Sequence, residues 1–252
     1  MTGDGTGLPL VEMEGITKRF GAVTALRSVD FSVQAGEVVG LVGDNGAGKS
    51  TLMKILTGVY RPDAGQIRFE GRRVHFQSPF DSRRLGIEMV YQDLGLAENL
   101  DPVANLFLGR EISRRFGPWR LLDEAAMERH AREHLASLRV ELPSLRTAVE
   151  QLSGGQRQAV AIARATAFAA RLVIMDEPTA SLAVAEAGKV LELIRRLKER
   201  GVGVVLISHR LQDVLEVSDR VVVLNRGRVA GVLEGRQARL EEVVALMVGG
   251  AG

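Results

Sequence analysis

The sequence contains no cysteine among its 252 residues, and aromatic side chains make up only 4% of it. Without cysteine the chain can form neither a disulfide bond, nor a thiol nucleophile, nor a zinc–thiolate site. The rest of the composition, 46% hydrophobic and 25% charged, is that of an ordinary soluble domain. A chain of this length buries a sizeable core without covalent staples. The composition therefore excludes disordered, collagen-like and disulfide-rich proteins.

The sequence also lacks a strong net charge and long apolar runs. The formal charge is only +2, and no run of five or more basic residues occurs, so we expect no nucleic-acid partner. The longest apolar runs, such as Val202–Ile207, fall far short of the ~18 residues that a membrane span requires. Met1–Gly5 has neither the basic nor the apolar region of a secretion signal. These absences predict a cytoplasmic protein that can still dock on a membrane protein.

Strands and helices alternate over most of the chain. The apolar run Val38–Val42 is typical of a strand buried on both faces. Helical patterns over about 50–58, 156–168 and 184–200 are interleaved with further apolar runs, which predicts a parallel sheet covered by helices. Asn225–Arg228 reads as the turn of a hairpin.

Residues 98–146 break this alternation. They are rich in arginine and glutamate and lack the period of a strand. Asp123 can cap the start of a helix. The apolar residues that follow recur at helical spacing: Met127, Ala131, Leu135 and Leu138. The segment therefore predicts a helical insert that lies outside the sheet.

A glycine-rich segment between a predicted strand and a predicted helix fits the phosphate-binding pattern G-x-x-x-x-G-K-[ST]. Its glycines let backbone N–H groups turn towards phosphates, and the following helix points its positive end at the same anion. Lys49 can reach the β- and γ-phosphates, and the Ser50 hydroxyl can sit on Mg²⁺. The candidate nucleotide-binding residues here are Gly43, Asp44, Asn45, Gly46, Ala47, Gly48, Lys49, Ser50 and Thr51.

The apolar run Leu172–Met175 ends in two carboxylates, Asp176 and Glu177. Ligands of open α/β sheets collect at the carboxyl ends of strands. Asp176 is placed to hold Mg²⁺, directly or through water, and Glu177 to polarise an attacking water. Such a pair is commonly only a surface turn, but beside a phosphate loop it favours hydrolysis of a nucleoside triphosphate.

The segment Leu152–Gln156 reads LSGGQ and lies between the phosphate loop and the acidic strand. Ser153 can cap the helix that follows, and the two glycines allow close approach to an anion. With this arrangement the sequence resembles the ATP-binding cassette (ABC) proteins over about residues 10–249. The resemblance includes Gln92 after one strand and His209 after another.

The resemblance implies an α/β phosphate-loop NTPase fold, with a RecA-like parallel sheet, an antiparallel β subdomain and an α-helical insert. One cassette domain would span residues 1–252. Its core would comprise about residues 1–92 and 166–252, and its helical subdomain about residues 93–165.

The resemblance also implies roles for single residues. Ser50, Gln92 and Asp176 would hold Mg²⁺, and Gln92 would also contact the attacking water. Glu177 would activate that water, while His209 would grip the γ-phosphate and orient Glu177. Phe20 would stack on adenine, although a buried core position also fits a phenylalanine at a strand end.

In this family two cassettes share each ATP. The resemblance therefore implies that the signature of one chain completes the site of a second cassette, most simply in a homodimer. The signature residues acting in trans would be Ser153, Gly154, Gly155 and Gln156. At Ala183 the family usually has an aspartate that helps to tie the two sites together, so we expect a weaker dimer contact here.

In three segments the amino-acid sequence is similar to that of the ribose, galactose, xylose and fructose importers, in their single-cassette form. These segments are residues 86–100, 103–111 and 246–249. The function implied is that of an ATPase subunit at the cytoplasmic face of the membrane. Its partners would be a membrane permease and, indirectly, a periplasmic or lipid-anchored sugar-binding protein. An importer of amino acids or other small solutes, or an ABC ATPase without a transport role, remains the alternative.

Overall fold

The computed structural model describes residues 8–116, 119–235 and 237–249. Residues 1–7, on which the expectation of no secretion signal falls, lie outside them. The strands are Val11–Phe20 (β1), Val23–Val33 (β2), Val38–Val42 (β3), Ala64–Phe69 (β4), Arg72–Val74 (β5), Ile87–Val90 (β6), Ser113–Phe116 (β7), Trp119–Leu122 (β8), Leu172–Asp176 (β9), Gly203–Ile207 (β10), Arg220–Asn225 (β11) and Arg228–Glu234 (β12). The α-helices are Lys49–Leu56 (α1), Pro79–Arg84 (α2), Pro102–Phe107 (α3), Glu124–Ser137 (α4), Gly154–Thr166 (α5), Val184–Glu199 (α6), Leu211–Val217 (α7) and Leu240–Val248 (α8).

The central sheet has six strands in the order β12-β11-β3-β10-β9-β6. All neighbours pair in parallel except β11 and β12, which form the antiparallel hairpin expected around residues 225–228. The predicted parallel sheet is thus confirmed. Because β3, β10, β9 and β6 run in the same direction, the segments that follow these four strands emerge at the same edge of the sheet.

The central strands are buried on both faces, as their continuous apolar runs predict. Every residue of β3 and of β10 is buried. Val39 and Leu41 belong to a core shared with α1 and the antiparallel strands. Val38 and Val42 belong to a second core, formed mainly with the helices on the other face.

A second sheet, in the order β2-β1-β4-β5, is antiparallel throughout and forms the β subdomain expected from the resemblance. β1 and β2 are long strands of 10 and 11 residues. Gly15 lies within β1, where the register shifts between Met13 and Ile16. A β-bulge accommodates such a residue without ending the strand.

The insert contains the expected helix but is not wholly helical. The Asp123 carboxylate accepts a hydrogen bond from the Ala126 N–H at 3.0 Å, and Met127, Ala131, Leu135 and Leu138 are all buried. The expectation that the segment has no strands is wrong, because β7 and β8 pair as a two-stranded antiparallel ribbon. Its described side chains are exposed on both faces, so burial imposed no alternation of apolar and polar residues. Within the described residues no helix is long and apolar enough to cross a membrane.

Candidate nucleotide-hydrolysis site

The strand order assembles the predicted site residues at one edge of the central sheet. Ile207 pairs with Leu41 on one side and with Asp176 on the other, so β10 lies between β3 and β9. The phosphate loop therefore lies next to the segment carrying His209, which lies next to Glu177. Gln92, two residues after β6, follows in the same row.

The loop between β3 and α1 has the backbone that its glycines require. Gly43, Gly46 and Gly48 have φ angles of 150°, 81° and 110°, a region that other residues rarely adopt. A Cβ atom on Gly43 would lie 2.2 Å from the carbonyl oxygen of Leu224. The loop leads directly into α1, which begins at Lys49, so the free N–H groups of the first turn mark an anion site.

Lys49 donates to the carbonyl oxygens of Gly43 and Asp44 at 2.5 and 3.1 Å. Burial lowers the pKa of Lys49, while the negative charges of Glu177, Asp176 and Asp44 act to raise it. The ammonium group is thus held inside the loop and only partly solvated, which increases what it gains from contact with a phosphate.

Asp176 lies at the carboxyl end of β9 and is half-buried. Burial raises the pKa of Asp176 most, Glu177 raises it further, and Lys49 and Lys54 lower it. A cation at this place would stabilise the charged carboxylate. Ser50, Gln92 and Asp176 offer hydroxyl, amide and carboxylate oxygens, which is the donor set that Mg²⁺ prefers, so the residues fit the ion.

Glu177 and His209 are in direct contact. The Glu177 carboxylate accepts hydrogen bonds from the His209 backbone N–H at 3.0 Å and lies 2.8 Å from the ring Nδ1. Glu177 itself has a φ of 52°, which is strained for a residue with a side chain. Its N–H donates to Ile207 O at 2.8 Å, which holds this backbone in place. A carboxylate fixed in this way can accept a proton from water.

A buried network that the sequence analysis missed anchors these two loops to each other. Thr179 Oγ1 donates to the Asp213 carboxylate at 2.7 Å. Arg210 bonds both Asp213, at 3.2 Å, and the carbonyl oxygen of Thr179, at 3.0 Å. No local pattern reveals the contacts of Thr179 with Asp213 and with Arg210, since these partners are more than 30 residues apart in the chain.

Phe20 at the end of β1 is 43% exposed, so the core position considered for it is wrong. Its ring packs edge-on against Tyr60, with centroids 5.2 Å apart, and the Lys18 Nζ lies 5.5 Å from its centroid. An aromatic face is therefore held in an exposed position where a planar ring can stack.

The LSGGQ segment caps α5 as expected. Ser153 Oγ accepts from the Gln156 N–H at 3.3 Å, and the Gln156 side chain accepts from the Ser153 N–H at 2.9 Å. A Cβ atom on Gly155 would lie 3.0 Å from the Cβ of Glu186, so the glycine permits α5 to pack closely on α6. Ser153 is exposed and lines a cavity of about 600 Å³ formed largely by α5, α6 and the end of α4.

A phosphate loop leading into a helix, an acidic strand end and a carboxylate held by histidine define a phosphate-loop nucleotide hydrolase. The family model described as "ABC transporter" matches residues 26–180. The chain belongs to the ABC transporter family, of which it forms an ATP-binding cassette.

Relatives match the chain almost end to end. It is 47% identical over 238 residues to the xylose/arabinose import ATP-binding protein XylG of Sulfolobus acidocaldarius, covering 94% of this chain and 93% of that protein. It is 47% identical to the fructose import ATP-binding protein FrcA of Rhizobium meliloti, covering 96% and 94%. It is 49% identical to the ribose import ATP-binding protein RbsA 1 of Rubrobacter xylanophilus, but spans only 47% of that protein.

Solved structures agree with this assignment. A nucleotide-free ATP-binding cassette from an ABC transporter superposes with a TM-score of 0.80 at 27% identity, covering 96% of both chains. A dimeric cassette bound to ADP and Pi superposes with a TM-score of 0.74 at 27% identity, covering 90% of this chain and 100% of that one.

Replacing Lys49 with alanine is expected to weaken ATP affinity by about 10- to 100-fold, since a charge-assisted hydrogen bond contributes about 1.5–3 kcal/mol. Calorimetric titration with ATP measures the change. Lys198→Ala, which removes a lysine paired with Asp219 just before the start of β11, is the control and should bind nearly as the unaltered chain does. Unchanged affinity in Lys49→Ala, with the melting temperature preserved, would contradict the site.

Proposed function

We propose that the chain is the ATP-hydrolysing subunit of an ABC importer that takes up a sugar. The observation that carries the ATPase role is the row formed by the phosphate loop, His209, Glu177 and Gln92 at one sheet edge. The sugar is supported by the relatives matched over nearly their full length, which are named as xylose/arabinose and fructose import proteins. An importer of amino acids or other small solutes, or an ABC ATPase without a transport role, is the alternative.

We assign the chemistry to side chains by their positions. Lys49 and the loop N–H groups bind the β- and γ-phosphates, and Phe20 stacks on adenine. Glu177 accepts the proton of the attacking water. The Nδ1 atom of His209 contacts Glu177. The His209 side chain is 69% exposed, so it can also reach the γ-phosphate.

Ser50, Asp176 and Gln92 hold Mg²⁺ in this proposal. The ion, when bound, neutralises charge on the phosphates and on the leaving group. Gln92 would contact the metal and also lies in the loop that follows β6. It is therefore placed to respond to whether nucleotide is present.

We further propose that a second copy of the chain completes each site. Of the two described cavities that the LSGGQ residues line, neither is lined by any residue of the loop Gly43–Ser50. Ser153 is exposed, as expected if it caps the nucleotide of another cassette. The core of the proposed cassette comprises about residues 1–92 and 166–252, and its helical subdomain about residues 93–165.

A groove next to Gln92 is the proposed docking place of the permease, at the cytoplasmic face of the membrane. The groove is lined by Tyr91, the exposed Leu108 and three arginines, Arg83, Arg110 and Arg164, with Glu88 as the one acidic lining residue described. The excess of positive charge fits an acidic helix of the permease. A periplasmic or lipid-anchored sugar-binding protein would act through the permease.

The test is to purify the complex with its permease and measure ATPase stimulation by xylose, arabinose, fructose and ribose in the presence of the binding protein. Because the chain has no native cysteine, Leu108→Cys and Arg83→Cys, both exposed in the groove, can be crosslinked to the permease directly. Val232→Cys is the control, because Val232 is exposed on β12, which is the outermost strand on the side of the sheet away from β6. Crosslinks only from Val232→Cys would contradict the docking place, and stimulation by amino acids alone would favour the alternative.

A further inference from the structure

A side-chain amide on the signature helix is buried without a hydrogen-bond partner. Gln158 on α5 is only 5% exposed, and its Nε2 meets no acceptor among the described residues. Buried donors are nearly always satisfied, since an unpaired one destabilises the folded protein. The amide therefore has a donor available for a partner that another state of the protein can supply.

Gln158 lies where three parts of the site meet. It lines a cleft of about 290 Å³ together with Gly154, the loop that begins at Gln92 and the loop that begins at Glu177. The cleft thus joins the signature helix to both residues placed at the attacking water. A hydrogen bond from Gln158 into either loop would connect the start of α5 to the nucleotide of the same chain.

Several acceptors around the cleft are already used. The Glu177 carboxylate accepts from His209. The Asp93 carboxylate is attracted by the charge of Arg164. The backbone carbonyl oxygens in the loop that already accept hydrogen bonds are those of Tyr91, Asp93, Leu94, Gly95, Ala97 and Glu98.

Among the acceptors that line the cleft, the Gln92 side chain is the one that the proposed function places at both the metal and the attacking water. Arg164 holds the loop at Leu94 and Gly95, at 2.8 and 2.6 Å, but Gln92 precedes these anchors and is exposed. A side-chain amide oxygen has two acceptor positions. It can therefore face a cation and accept an N–H group at the same time.

We propose that Gln158 is a positioning residue whose Nε2 donates to the Gln92 side-chain oxygen when Gln92 turns to bound Mg-ATP. This inference rests on the proposed function. The hydrogen bond fixes the orientation of Gln92, as partners of metal-binding side chains do. It also ties the turn at Ser153 to the loop at Gln92, so that each chain presents its signature when its own site is filled.

The test replaces Gln158 with methionine, which has a similar length and no donor. In the purified complex with its permease, we expect kcat for ATP to fall about 10-fold or more, with KM for ATP within twofold of the unaltered value. The nucleotide-free chain should melt at the same temperature or higher, because an unpaired donor has been removed. Gln212→Met, exposed on α7, is the control and should change none of these.

A double-mutant cycle distinguishes positioning from a merely structural role. Gln158→Met combined with Gln92→Met should be no slower than Gln92→Met alone, because both changes break the same bond. If Gln158→Met does not fold, Gln158→Asn, one methylene shorter, should show the same loss of kcat and the same cycle.

A kcat within twofold of the unaltered value in the folded variant, or losses that multiply in the double variant, would overturn the inference. Water would then satisfy the amide in every state. An unaltered complex without ATPase activity would overturn the proposed function and this inference with it, so the two failures are distinguishable.

Discussion

Glu177→Gln is expected to lower ATP turnover by about 10²–10⁴-fold, the usual effect of losing a general base, while ATP binding persists. The glutamine keeps the shape of the side chain and can still accept the His209 backbone hydrogen bond, so the loop should hold its strained conformation. It cannot take a proton from water at neutral pH. Steady-state phosphate release and calorimetric titration measure the two quantities separately.

The matched control is Glu199→Gln, an exposed glutamate at the end of α6. It makes the same chemical change far from the sheet edge and should leave turnover unaltered. Near-normal hydrolysis in Glu177→Gln would assign proton removal to another group, with His209 the first to examine.

Dimerisation is expected only when ATP is bound and hydrolysis is blocked. The phosphate loop and the signature each occur once in the chain, so a twofold pairing satisfies two half-sites at once. The γ-phosphate is the charge that distinguishes ATP from ADP at the exposed start of α5. A ligand shifts an equilibrium only through such a difference. Sedimentation of Glu177→Gln should therefore show a doubled mass with ATP and a monomer with ADP.

Adding Ser153→Arg should abolish that dimer, because a long cation would replace the small hydroxyl that caps α5. Ser113→Arg, on the exposed ribbon, is the control and should dimerise as before. Ala183 stands where the family usually has an aspartate that ties the two sites together, so the dimer contact is expected to be weaker and to need high protein concentration. A dimer that forms without ATP, or one indifferent to Ser153→Arg, would contradict the shared site.

The chemistry of this protein was readable from local sequence. The phosphate loop is a contiguous pattern whose glycines determine its own backbone, and the run before Asp176 marks a buried strand that ends in carboxylates. The cap at Ser153 and the helical face that starts at Met127 also depend on residues a few positions apart. Such features are predictable because backbone preferences and the periodic spacing of buried side chains depend on residues only a few positions apart in the chain.

The tertiary structure alone decided which of these segments meet. Glu177 and His209 are in contact because β10 inserts between β3 and β9, and no periodicity specifies that order. The exposure of Phe20, the pair of Thr179 with Asp213 and the unpartnered amide of Gln158 all depend on elements distant in the chain. The ribbon formed by β7 and β8 was missed for the converse reason. The side chains described for it are all exposed, so burial left no alternating pattern in its sequence.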